Sequence, residues 1–144
     1  IVRRLVGSEM CIRDRVRHWL KEKQMNYFKI FSLSNGESEV EELKFNLSTE
    51  DFIKGTPSFP MEDLGNTNTL KIACVPNGWD GGWHPTPVLQ WVVTLSGAAE
   101  MRVSSGKVIN LACGVPVLLT DTRGKGHHTV VVGNDDWCSM LVSI

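Results

Sequence analysis

The chain has no run of eighteen apolar residues, so no helical membrane span is expected. Cysteine is scarce and unpatterned. There are four, at 11, 74, 113 and 138, and no pair has C-x-x-C or zinc-ligand spacing. Cys74, Cys113 and Cys138 fall in apolar stretches, which reads as buried free thiols in a reducing compartment and places the chain in the cytoplasm by default. No charge of one sign dominates the whole, since the formal net charge is −1. That balance hides a basic start: residues 1–24 hold seven Lys/Arg and three acids, and the remainder is net −5. A mildly acidic body argues against nucleic acid or an anionic membrane as partner. Internal repeats are missing, and beyond Met25 no stretch keeps helical periodicity for more than about two turns.

What is present is strand pattern. The length of 144 residues suits one domain with a core that needs no staples. Asn26–Phe31 reads as a first strand, followed by the turn signal Asn35-Gly36. Glu37–Glu42 reads as a solvated acidic patch, and Leu43, Phe45 and Leu47 alternate as a half-buried strand. Ser48–Asp51 is placed to cap a short helical turn, and 56–68, rich in Pro, Gly and Asn, reads as a loop over one end of a barrel. Strands are expected at 70–75, 90–95, 98–103, 108–111, 115–120, 127–132 and 137–144. The stretch 78–83 reads as a loop, and 90–95 with 98–103 as a hairpin about Ser96-Gly97. Nine or ten short strands at this spacing predict an all-β sandwich or barrel.

Two polar clusters stand out. In an extended segment His84, Thr86 and Gln90 point the same way, because side chains repeat every two residues. The second cluster is Asp121-Thr-Arg123-Gly-Lys125-Gly-His127-His128, with His127 expected inward and His128 outward or at an interface. Trp79 and Trp83 flank glycines in the first loop and suit the rim of a ligand pocket. Trp91 alternates with Val93 and Leu95 and reads as core, and Asp121 reads by composition as a turn residue bonded to its own loop. Arg123 and Lys125 are placed to attract a carboxylate or phosphate, although loop cations are usually only solvated.

Residues 1–24 read as a segment apart. The run Leu5–Asp14 is similar to the conceptual translation of a transposase sequencing-library adapter, which implies a non-native or disordered extension. An Arg-rich targeting arm is the other reading. Met25 is the candidate natural start, with a single domain over 25–144.

The glycine and polar spacings resemble the cupin superfamily. Its first motif, G-x5-H-x-H-x3-4-E-x6-G, is met in spacing by Gly78, His84, Thr86, Gln90 and Gly97. Its second, G-x5-P-x-G-x2-H-x3-N, is met by Gly106, Ala112, Gly114, Val117 and Asp121. Thr86, Gln90 and Val117 stand where three of the four metal ligands are expected. Pro76–Gln90 and Asp121–His127 also resemble the P-x-G-W-D-G-x-W-H-P-x-P-x-x-Q and D-T-x-G-K-G-H signatures of small bacterial single-domain cupins that carry no generally assigned activity. The resemblance implies a jelly-roll β-barrel of two antiparallel sheets around a pocket, often paired as a homodimer. It leaves three chemistries open for a small carboxylate or sugar-like ligand. A divalent metal (Fe, Mn, Ni or Zn) held by His84, Gln90 and His127 is one, although an amide is a weak donor. Metal-free proton transfer by His84 or His127 with Asp121 is another, since an imidazole beside a carboxylate can take a proton and keep the charge. Ligand binding without turnover is the third, with Trp79, Trp83, Thr86, Gln90 and Arg123 as contacts.

Overall fold

The computed structural model describes residues 24–144, so the expectations for 1–23 lie outside the described residues. The described chain is all-β: β1 (Asn26–Ser32), β2 (Ser38–Lys44), β3 (Ser48–Glu50), β4 (Phe59–Met61), β5 (Thr69–Val75), β6 (Asp80–His84), β7 (Gln90–Ser96), β8 (Ala98–Val103), β9 (Val108–Leu111), β10 (Val117–Leu119), β11 (His127–Val132) and β12 (Trp137–Ser143). No helix among the described residues is long and apolar enough to cross a membrane. Two compact units are present.

The larger unit spans 26–43 and 65–144. It holds a six-stranded sheet, β2-β1-β10-β7-β12-β5, and a four-stranded sheet, β6-β11-β8-β9. The strand ladders do not close into a ring, since β2 and β5 end one sheet and β6 and β9 the other. Alternation decides what each strand buries. Ile30, Val92, Val117 and Leu119 turn inward from the larger sheet, and Ala99, Met101, Val103, Ile109, Leu111 and Val131 from the smaller. Each such side chain contributes roughly 1.5–3 kcal/mol by leaving water.

Four expectations change here. Glu37–Glu42 is not merely a solvated patch: most of it lies in β2, with Ser38 and Val40 buried. The stretch 78–83 is largely strand, because Asp80–His84 pairs with β11. The segments about Ser96-Gly97 are not a hairpin, since β7 pairs with β10 and β12 whereas β8 pairs with β11 and β9. The chain steps between sheets there, and only glycine fits: Gly97 has φ +71°, and a Cβ on it would overlap the Asp136 carbonyl. Trp91 does not join the core. Val92 and Thr94 are the inward residues of β7, and Trp91 packs edge-to-face on Tyr27 with ring centroids 5.0 Å apart.

The smaller unit covers Lys44–Leu64 with the residues up to Met25. Ser48–Glu50 is β3 rather than a helical turn, and it pairs antiparallel with β4, which lies inside the segment expected to be loop. This third, two-stranded sheet is an addition to the two sheets expected. Phe52 and Phe59 meet edge-to-face with centroids 6.1 Å apart.

The cysteines also differ from expectation. Cys74 and Cys138 are directly opposed on β5 and β12 and form a disulfide, and the one free cysteine among the described residues, Cys113, is exposed. The step from free thiols to a reducing compartment therefore loses its basis. The bond joins residues 64 apart in sequence. Such a cross-link stabilises largely by restricting the unfolded chain, so Cys74→Ser is expected to cost about 2–4 kcal/mol. Thermal melts with and without reductant check this, with Cys113→Ser as a control that should not move; a reductant-insensitive melting point would show that the bond does not form.

Candidate functional site

The site is set by the register of β6 and β11. His84 pairs with His127 and Trp83 with His128, so the two strands send one histidine pair to one face and a Trp/His pair to the other. On the inner face the imidazoles of His84 and His127 lie 4.8 Å apart, ring planes at 63°. His127 is 3 % exposed. Its Nδ1–H donates to Asp121 Oδ2 at 2.7 Å, and Asp121 is fully buried. His84 Nδ1 lies 3.1 Å from the Gly82 carbonyl oxygen, which only accepts, so Nδ1 carries the proton there. Both rings, when neutral, then present an unprotonated Nε2.

The loop that brings Asp121 and His127 together is clamped. Gly126, at φ +68°, packs so closely on His84 that a Cβ would overlap the His84 carbonyl and the Pro85 nitrogen. The Gly126 carbonyl accepts the buried Ser38 hydroxyl, and the Lys125 amide donates to the Gly36 carbonyl. On the other side, the Thr86 amide donates to the Asp121 carbonyl oxygen at 3.0 Å. The Thr86 hydroxyl donates to the Val88 carbonyl and accepts from Gln90 Nε2 at 3.1 Å. So Asp121 is not a solvated turn residue, and Thr86, 1 % exposed, is a brace between the Gln90 amide and the Asp121 backbone.

Other candidates lie elsewhere. Trp83 and Trp79 are exposed, at 51 % and 39 %. Trp83 faces outward beside His128, ring centroids 5.6 Å apart. The Trp79 ring covers Gly81, where a Cβ would strike it. Arg123 is exposed, and its backbone carbonyl accepts the Ser32 hydroxyl. A shallow groove of about 580 Å³ runs past Trp83, Pro85, Ser104, Gly124 and Lys125, around the strand from His84.

Sequence reasoning missed a second histidine–carboxylate pair, His128 with Asp80, on the outer face. The Gly82 amide, and after it the His128 imidazole, hold the Asp80 carboxyl below the usual carboxylate range. No local signal links Asp80 to a residue 48 positions away; only the strand register does.

A metal site fits poorly. Among the described residues no group of three or more His, Cys, Asp or Glu is arranged to hold an ion. Asp121 is engaged by His127, Gln90 offers a neutral amide, and Val117 sits in the core at the position of the missing imidazole. Compared with known proteins, the chain matches no family model and no curated protein.

Proposed function

We propose that this protein is a cupin-type jelly-roll protein that takes a small carboxylate or sugar-like ligand and moves a proton on it without a metal. The buried His127–Asp121 pair carries this reading. A carboxylate on Nδ1 fixes the tautomer and orientation of an imidazole and stabilises it once protonated, leaving Nε2 as the base. His84, one ring away, is the second proton carrier. Such a pair suits abstraction of a proton beside a carbonyl or carboxylate and its return to the other face, which is an isomerase or epimerase step. Support for the cupin frame comes from the glycine and polar spacing from Gly78 to Asp121, together with the six- and four-stranded sheets.

The test is to incubate the full chain in D₂O with a panel of sugars and hydroxy acids and follow carbon-bound deuterium by mass spectrometry. His127→Gln is expected to lower exchange roughly 10²–10⁴-fold, and His128→Gln to leave it unchanged. Exchange untouched by His127→Gln removes that residue from the mechanism. Ligand-dependent tryptophan fluorescence with no exchange on any compound would favour the second reading, a binding module, for which the exposed Trp83 beside the groove speaks.

A further inference from the structure

The six-stranded sheet ends in two edges of different construction. β2, at one edge, reads SEVEELK and carries Glu39, Glu41, Glu42 and Lys44. Charged side chains on an edge strand discourage the addition of another strand. β5, at the other edge, reads TLKIACV, with Lys71 its one charge. Leu70 and Ile72 are 66 % and 59 % exposed. They share a face with Cys74, and opposite them on β12 stand Val142, Met140 and Cys138. That face is the outward one, because Trp137, Ser139 and Ser143 are the buried residues of β12. The disulfide ties Cys74 to Cys138, so the edge is held in line with the sheet. Within the described residues β5 has a strand on one flank only.

We infer that β5 is the edge along which a second copy of this chain adds, antiparallel about a two-fold axis at Ile72, joining two six-stranded sheets into one. The strand is complementary to itself in that register. Ile72 meets Ile72 of the second copy, Leu70 meets Cys74, Lys71 meets Ala73 and Thr69 meets Val75, so all seven residues pair. A slip by one residue sets the apolar outward face of one sheet beside the inward face of the other. An axis at Lys71 sets two ammonium groups directly opposite, which disfavours pairing. The charged β2 edge offers no equivalent, and a foreign strand gains nothing from the two-fold match. The inference is independent of the proton-transfer chemistry.

Sedimentation of the full chain over a wide dilution series tests it, together with amide exchange at residues 69–75. A dimer is expected, with β5 amides more protected at high concentration than at low. Ile72→Lys sets two like charges on the axis and is expected to raise the dissociation constant at least about thirtyfold, with the β-sheet circular dichroism unchanged. Glu41→Ala, on the opposite edge, leaves the dimer intact. Should Ile72→Lys fail to fold, concentration-dependent protection of β5 in the unaltered chain decides the question. A monomer at every concentration overturns the inference, as does a dimer whose β5 amides exchange freely.

Discussion

Asp121→Ala is expected to cost about 3 kcal/mol of folding free energy, read as a lower urea midpoint at unchanged slope. Asp121 is 0 % and His127 3 % exposed, so water cannot replace the lost acceptor. The variant leaves the His127 Nδ1–H unpaired in the interior and a void where the carboxylate stood. Asp121→Asn keeps the volume and an amide oxygen that can accept the same proton, so about 1 kcal/mol is expected. Near-equal losses would mean that the charge, not the acceptor geometry, matters most. No loss in either variant would mean that the pair does not form in solution. The native carboxylate is itself incompletely satisfied: Asp121 Oδ1 is buried with no hydrogen-bond partner within the protein. A group kept at such a cost is a mark of function rather than of optimised stability.

Gly126→Ala is expected to be as damaging, by at least about 3 kcal/mol, for a different reason. The positive φ penalises any side chain, and here the added methyl would also overlap backbone of His84 and Pro85. Backbone cannot swing aside, so β6 and the loop before β11 must part, and the two imidazoles with them. Gly133 supplies the contrast. It also has positive φ (+84°), but nothing lies within 4 Å of its Cβ position, so Gly133→Ala should cost only about 1 kcal/mol. Urea unfolding of the two variants side by side is the measurement. Equal losses would show that the close approach at Gly126 contributes nothing.

The sequence reading was strongest where information is local. Alternation located most strands to within a few residues, and the His127/His128 step predicts one ring in and one out, as found. It failed where partners are distant. Alternation in β7 fixes a period but not which half faces the core, and Trp91 was placed on the wrong half for that reason. The Ser-Gly dipeptide marks a turn, yet a turn within a sheet and a step between sheets look alike locally; the Asp136 carbonyl against Gly97 separates them, and it comes from far along the chain. Cys74 and Cys138 lack any recognisable spacing because their neighbourhood is a ladder register. Asp121 has good turn composition, and only its distance to His127 reveals a second role.

The position of β12 has a consequence for biosynthesis. In the six-stranded sheet β12 lies between β7 and β5, so β5 reaches the sheet only through it. While a ribosome is still adding residues before Trp137, the segment 69–75 has neither a neighbouring strand nor its disulfide mate, and its leucine and isoleucine stand open to any passing chain. The nascent polypeptide is thus most exposed to mispairing just before β12 emerges, and the arrival of that single strand completes the sheet and brings the two thiols together.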